Sequence, residues 1–422
     1  MKHLIIGAGA AAISALRTIL SEKPDDSVVM VSQDEEVYSR CMLHRFISGE
    51  RDAESINFIN DGILESPNVQ WIRGKTITRL DASAHIAGTK TVYSGEEKVA
   101  SGDTVLIATG ANSITPPIGE LKTAKNVFGL RHLCDARSIA EYAKKAKKIA
   151  VIGAGLVGLD AVYGILELQG YAKEITVIEM APSVLAINLD AHAAEAYQRL
   201  FEKRGVKFHL ASKVVNTRGG DASSGDGGNI TGLELDSGVV IPCDMVIMAV
   251  GVRAATSFLE GSSVELTERK AVKVDDYLVT SVPGIFAAGD AAGLSGIWPN
   301  AQKQGEMAGY NMTGTRWAYE DRFALKNTVN FFNLLSLSLG AINPLDGDQV
   351  LVKEDRNNYR KLILREGAAA GIILQGEIGS SGFWQYLIAN RIRIDNLGKS
   401  PWKVNYSDFF GTEANGEFKW VV

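Results

Sequence analysis

Two glycine-rich turns stand 146 residues apart, Gly7-Ala-Gly9-Ala-Ala-Ala12 and Gly153-Ala-Gly155-Leu156-Val157-Gly158. Each closes a short apolar run and opens a helical pattern. In such a turn the first glycine permits the bend, the second lets the backbone approach a pyrophosphate, and the third allows close packing of helix on strand. The helix N-terminus then presents free N–H groups and a positive dipole end to phosphate. A chain that builds the device twice is expected to hold two dinucleotides.

A carboxylate at the end of the following strand would choose between nucleotides. Glu179 stands 21 residues after Gly158, where it can accept hydrogen bonds from both hydroxyls of an adenosine ribose and would repel a 2′-phosphate. Met180, Ala181 and Pro182 supply no cation for such a phosphate, so NAD(H) is expected rather than NADP(H). After the first turn the matching positions are Ser32, Gln33 and Asp34, and any of the three could meet the ribose.

The elements that must position these turns are short, continuous apolar strands alternating with helices, the pattern of a buried parallel sheet. His3–Ile6, a helix over Ala10–Leu20, and Ser27–Val31 form one unit. Lys148–Ile152, a helix over Leu156–Leu168, and Ile175–Ile178 form the second, after a proline-bearing hinge at Thr115-Pro116-Pro117. The run Arg218–Asn229 is expected to be a loop between strands. From about Phe323 shorter strands such as Lys361–Leu364 and Gly371–Gln375 mark a smaller domain. Trp402, Tyr406, Phe409, Phe410, Phe418 and Trp420 crowd its tail, which is expected to pack on its own domain, with partner docking as the alternative.

Composition narrows the function classes. A length of 422 residues suits about three domains. A net charge of -5 gives no reason to expect nucleic acid or a membrane surface. No apolar run approaches the ~20 residues that span a bilayer, and no leader is expected before the strand at His3, so the expected location is cytoplasmic. The cysteines Cys41, Cys134 and Cys243 are scattered, and neither they nor the six histidines form a metal-ligand cluster.

A third element completes the pattern: Ile285-Phe-Ala-Ala-Gly289-Asp290, followed by a helix near Pro299. Together with Gly7–Ala12, the run Thr104-Val-Leu-Ile-Ala108-Thr109-Gly110, the second glycine turn and Val246-Ile-Met-Ala-Val250-Gly251-Val-Arg253, it resembles the FAD-dependent pyridine-nucleotide oxidoreductases over nearly the whole chain. Tyr38-Ser-Arg40-Cys41-Met-Leu43, Ala301-Gln-Lys-Gln-Gly305-Glu306 and Phe331-Phe-Asn look like the branch of rubredoxin reductases and nitrite reductase flavin domains. Similar subunits react with NAD in iron–sulfur enzymes that oxidise aldehydes or 2-oxo acids.

The resemblance implies an α/β protein with two Rossmann-like domains, one inserted in the other, and a small α+β C-terminal domain. FAD would lie on residues 1–112 and 249–320, NAD(H) on 113–248, and 321–422 would form the third domain. For FAD it implies Gly7, Gly9, Ala12, one of Ser32, Gln33 and Asp34, Arg40, Arg45, Ala108–Gly110, Gly289, Asp290, Pro299 and Asn300. Asp290 would meet the ribityl chain and diphosphate. For NAD it implies Gly153, Gly155–Gly158, Asp160, Glu179, Val250 and Gly251. Arg45 matches a basic position near flavin N5 and Asp160 an acidic position near the nicotinamide carboxamide. The helix N-terminus at Pro299–Gln302 would stabilise negative charge on the reduced flavin at N1 and C2=O.

The implied activity is hydride exchange with NAD(H) and electron exchange with an iron–sulfur or rubredoxin-like protein, as a reductase on its own or as the NAD-reacting subunit of a larger complex. Three scattered cysteines cannot themselves hold an iron–sulfur cluster. The alternative uses Cys41, which aligns with the single redox cysteine of coenzyme A disulfide reductases. A thiolate favoured by Arg40, Arg45 or His44 would there attack a disulfide or persulfide. Against it, His44 occupies the place of the proline usual in that group.

Overall fold

The computed structural model describes residues 1–91, 97–169, 173–220, 228–321 and 325–420. They form two compact units, Met1–Met180 with Gly205–Glu320, and Ala181–Arg204 with Asp321–Val422.

The first unit contains two five-stranded parallel sheets. In one, the order is Ile285–Ala287, Thr104–Ile107, Lys2–Ile6, Ser27–Val31, Val69–Ile72. In the other it is Lys207–His209, Glu174–Ile178, Lys148–Ile152, Met245–Met248, Val127–Gly129. The central strands are buried nearly throughout, which explains why the sequence shows apolar runs rather than alternation. Each predicted strand of the two βαβ units is present, extended by a residue at Lys2 and at Glu174.

Helix α1 (Ala10–Glu22) starts at the first glycine turn and ends before Pro24. It buries Ile13, Leu16 and Ile19, which recur at helical spacing. α1 packs against the later helix Trp298–Met312 at very short range. A Cβ on Gly305 would fall 2.0 Å from the Ala11 carbonyl oxygen, so only glycine allows this approach. In chain order α1 is followed by α2 (Leu43–Ile47), α3 (Leu133–Ala143), α4 (Leu156–Leu166) and α5 (Ala191–Glu202), and Trp298–Met312 is α6. The chain passes from the first sheet to the second at Ala111–Ser113 and returns at Val252–Ala254. These two strands pair antiparallel, so the second sheet is an insertion whose two ends are fastened together.

The second unit is a five-stranded antiparallel sheet in the order Lys326–Phe331, Leu334–Gly340, Ala368–Gln375, Tyr359–Arg365, Gln349–Glu354. One face carries Leu337, Leu339, Leu362, Ile372 and Leu374 against α7 (Ser381–Ala389), with Phe383, Trp384, Leu387 and Ile388. The other face mixes buried Val329 and Phe331 with Ser336 and Gln375 and holds α5. The Tyr197 hydroxyl lies 3.0 Å from the Val329 carbonyl and 2.9 Å from Ser336 Oγ, and Gln375 donates to the Ala193 carbonyl at 3.0 Å. Residues 181–204, grouped by the sequence reading with the NAD(H) segment, therefore lie in the unit of the C-terminal sheet.

The strands of this sheet exceed the expected ones, Tyr359–Arg365 and Ala368–Gln375 against Lys361–Leu364 and Gly371–Gln375, because Tyr359 pairs with Gln375 at one end and Arg365 with Ala368 at the other. In the tail, Phe409 is buried and packs with Phe383, while Tyr406 and Phe410 are exposed. The side chains of Phe418 and Trp420, residue Phe323 and most of the expected loop 218–229 lie outside the described residues. Arg218 itself belongs to the strand Val214–Gly219.

Candidate active site

A cleft of about 1220 Å³, mouth included, opens where the first glycine turn, the strand end at Ala108 and the Gly289–Ala291 turn meet. Gly7 has φ +127°, and a Cβ there would lie 2.2 Å from the Ala108 carbonyl oxygen, so the turn can contain only glycine. No side chain caps α1, and Ala10 and Ala11 of its first turn line the cleft, so the helix presents its positive end to whatever the cleft holds. At the far wall Ile297, Trp298 and Ala301 bring the N-terminus of α6 to the same space, with proline in its first turn.

Of the residues expected to meet FAD, Gly7, Gly9, Ser32, Gln33, Asp34, Arg40, Ala108, Thr109, Gly110, Gly289 and Asp290 line this cleft, as does Cys41. Four do not. Ala12 is buried in the core under α1. Asn300 is buried and donates to the Tyr319 hydroxyl at 2.9 Å, and Pro299 serves the start of α6. Arg45 does not line the cleft and pairs with Glu50.

The three candidates for the first ribose are also unequal. Ser32 Oγ donates to the Asp34 carbonyl at 2.6 Å and accepts from the Trp71 indole at 2.9 Å. The Asp34 carboxylate accepts from Tyr38 and Arg40, each at 2.9 Å. Burial would raise its pKa, but His132, Arg40 and Tyr38 outweigh burial and hold it below the ordinary value. Gln33 is exposed at the cleft and has no side-chain partner among the described residues.

Sequence reasoning missed Arg131, His132 and Lys75, which line the cleft. Arg131 pairs with Asp290 and donates to the Ala111 carbonyl at 3.0 Å. It follows an ordinary strand and carries no motif; only the junction of the two sheets gives it a position. Gln304, inside a quoted motif but not selected, fixes the turn by accepting from the Gly289 N–H at 2.8 Å.

The second turn repeats the first. Gly153 has φ +104° and a Cβ there would lie 2.3 Å from the Ala249 carbonyl oxygen; at Gly158 it would lie 2.0 Å from that of Gly153. Gly155 faces open space, as a position approached by phosphate requires. No side chain caps α4, whose first turn contains Leu156 and Val157. Glu179 accepts from the Ala154 N–H at 2.7 Å, which brings the expected ribose ligand to the turn. Val250 is exposed, and Gly251 turns the chain with φ +114°.

Asp160 lies one turn into α4, facing α2. Its Oδ1 is 3.5 Å from His44 Nδ1, and burial pushes its pKa up to about 8. Burial, with Arg45 nearby, lowers His44 to about 4. Cys41 is exposed at the cleft, yet the desolvation of its thiol by its neighbours and the charge of Asp160 push it above its ordinary value, against an opposing effect from Arg131.

Residues 1–305 match the family described as pyridine nucleotide-disulphide oxidoreductase, and residues 326–392 match the rubredoxin NAD+ reductase C-terminal domain. The chain belongs to the pyridine nucleotide-disulphide oxidoreductase family. Its cofactors are accordingly FAD and NAD(H), and it is an FAD-dependent NADH:acceptor oxidoreductase.

Among family relatives, the chain is 27% identical to a nitrite reductase [NAD(P)H] of Bacillus subtilis over 89% of its own length. It spans only 45% of that protein. It is also 27% identical to the epsilon subunit of the NADH-dependent phenylglyoxylate dehydrogenase of Aromatoleum evansii, over 94% of this chain and 93% of that one. The solved NADH:rubredoxin oxidoreductase of Clostridium acetobutylicum is 22% identical, covers 94% of this chain and 97% of its own, and superposes with a TM-score of 0.74. That likeness shows the α/β fold with two Rossmann-like cores and a sheet-rich C-terminal domain. Among the described residues no helix is long and apolar enough to cross a membrane.

Proposed function

We propose that FAD binds in the cleft at Gly7, that NAD(H) binds at the Gly153 turn, and that electrons pass between NAD(H) and an iron–sulfur or rubredoxin-like protein. The supporting observation is the repeated geometry: Gly7 against Ala108 and Gly153 against Ala249, each at the start of an uncapped helix. The residues fit the two dinucleotides. Gly9 and Ala10 would receive the FAD diphosphate, Arg131 and Asp290 would orient it and the ribityl chain, and Gln33 would meet the ribose. Gly155, Leu156 and Val157 would hold the NAD diphosphate, and Glu179 its ribose.

When bound, FAD would supply the chemistry that links a two-electron hydride donor to a one-electron acceptor. The protein's part is to align the two rings and exclude water. The uncapped end of α6, at Trp298, would favour the negative charge that builds on reduction. Residues 1–112 with 249–320 are the FAD domain we assign and 113–180 with 205–248 the NAD(H) domain, residues 181–204 going with 321–422; the location we assign is cytoplasmic.

The match of residues 326–392 to the rubredoxin NAD+ reductase C-terminal domain supports the class of acceptor. A second reading is supported by Cys41, which lines the cleft: reduction of a coenzyme A disulfide or persulfide. Its raised thiol disfavours the thiolate that this chemistry needs.

NADH oxidation by the FAD-loaded chain, measured side by side with a rubredoxin, a [4Fe–4S] ferredoxin and coenzyme A disulfide, separates the readings. Turnover with either iron protein supports the first. Turnover with the disulfide alone, lost in Cys41→Ser, supports the second and overturns the first.

A further inference from the structure

The second unit has a cleft of its own, about 580 Å³ with its mouth included, and it belongs to neither glycine turn. Its floor is the α7 side of the antiparallel sheet. Side chains alternate between the faces of a strand, so Arg360 shares a face with Leu362, and it pairs across the sheet with Leu374 of the same apolar layer. An arginine thus stands where the alternation calls for an apolar residue. One wall is α7, through Ser380, Phe383 and Trp384, and the other is the segment that carries Trp402, Val404 and Tyr406. That second wall lies outside residues 326–392, the stretch that matches the rubredoxin NAD+ reductase C-terminal domain.

Three independent features suit this cleft to an anion. Arg360 is half-buried and is the one charged residue among the described residues that line it, and it has no ion pair or side-chain hydrogen bond among them. Asp355, which feels its charge, is held instead by the Asn357 N–H and the Asn358 side chain. The second feature is the start of α7. No side chain caps this helix, and the N–H groups of Gly382 and Phe383 have no acceptor among the described residues. The carboxylate that precedes it, Glu377, is taken by the Gly379 N–H. The third is Trp384. Its side chain is only 5% exposed, yet its indole N–H has no partner among the described residues and is not sealed in the core, so it opens on the cleft that the residue lines. A donor in such a place is costly to bury unless a ligand accepts from it.

The rest of the lining decides what carries the charge. Phe383 stands edge-on to Trp384 and to Tyr406, with centroids 5.3 and 5.0 Å apart, and half-buried Trp402 faces the same space. Aromatic walls of this kind favour another ring between them. One guanidinium matches the two oxygens of a carboxylate, whereas a phosphate dianion calls for a second cation. The cleft has about half the volume of that at Gly7, so it has no room for a dinucleotide but accepts one ring with a short acid arm.

We propose that this cleft binds a small aromatic carboxylate. Arg360, the first turn of α7 and the Trp384 indole supply the donors to its acid group, and Phe383, Trp402 and Tyr406 enclose its ring.

Titration of the FAD-loaded full chain with 4-fluorophenylacetate, followed by fluorine NMR in the presence of excess ADP-ribose to occupy the second glycine turn, tests it. One equivalent should bind saturably per chain. The uncharged amide of the same acid should bind about 10-fold more weakly or worse, and 4-fluorophenyl phosphate no more tightly than the acid. Arg360→Gln should weaken the acid by a similar factor and leave the amide unchanged, Arg360→Lys should recover part of the loss, and Trp402→Ala should weaken acid and amide alike. Absence of saturable binding, equal affinity for acid and amide in the parent protein, or acid binding unchanged in Arg360→Gln would overturn the proposal. Tighter binding of the phosphate would overturn the choice of a carboxylate. The comparison of acid with amide needs no variant, so it decides even where a substitution disturbs folding.

Discussion

The Glu179 carboxylate accepts a 2.7 Å hydrogen bond from the Ala154 N–H, tying the end of one strand to the glycine turn at the end of its neighbour. One side chain thus both shapes the phosphate turn and carries the negative charge expected to face an adenosine ribose. A charged hydrogen bond of this type contributes about 1.5–3 kcal/mol. Glu179→Ala should therefore raise the KM for NADH by roughly 10- to 100-fold and narrow the preference for NADH over NADPH. Steady-state kcat/KM with both nucleotides measures it.

Gly153→Ala should be far more damaging to nucleotide use than its size suggests. The added methyl meets the Ala249 carbonyl at 2.3 Å in a backbone conformation that side chains avoid. NADH-dependent flavin reduction should fall at least ~10-fold, while FAD content, set by the Gly7 cleft, stays that of the parent. Absorbance of the purified variant reads the first quantity against the second.

Cys41 should behave as a reluctant nucleophile. Its side chain is exposed at the cleft, but partial desolvation and Asp160 hold its thiol above the ordinary value, so little thiolate exists at neutral pH. Iodoacetamide should modify it more slowly than a free cysteine at pH 7, with the rate climbing only above the range in which a free cysteine ionises. Peptide mass mapping across pH identifies the site. Rapid alkylation at pH 7 would contradict the environment described.

The second unit makes a pH-dependent prediction of its own. Asp190 accepts from the Ala193 N–H at the start of α5, from the Tyr359 hydroxyl at 2.7 Å and from Lys361 at 3.1 Å. Burial would raise its carboxyl, but these partners together hold it below the ordinary value. Its contribution is complete where the unfolded chain is also ionised, and it is lost as pH falls below about 4 toward the depressed folded value. Asp190→Asn keeps the cap but loses the charge, and should cost about 1–2 kcal/mol at pH 7 in urea unfolding, with the difference shrinking below pH 4.

What was legible in the sequence follows from what is local. The glycine turns, their strands and Glu179 were legible because a βαβ unit is short and its spacing is fixed by geometry. Gln33, Ser32 and Asp34 could not be ranked, because Trp71, Tyr38 and Arg40 decide among them and lie up to 39 residues away. Arg131 was invisible because its partner Asp290 is 159 residues distant. Arg45 and His44 are neighbours in sequence, and only the packing of α2 on α4 determines which one faces Asp160. The position of α5 depended on Tyr197 and Gln375, whose partners are backbone carbonyls and a serine that no spacing rule connects.

The central claim, that the two glycine turns hold NAD(H) and FAD as a working pair, is tested most directly by anaerobic titration of the FAD-loaded chain with NADH. The account predicts stoichiometric bleaching of the flavin absorbance, with colour restored on adding an oxidised iron–sulfur or rubredoxin-type protein. A flavin spectrum left unchanged by excess NADH would contradict it.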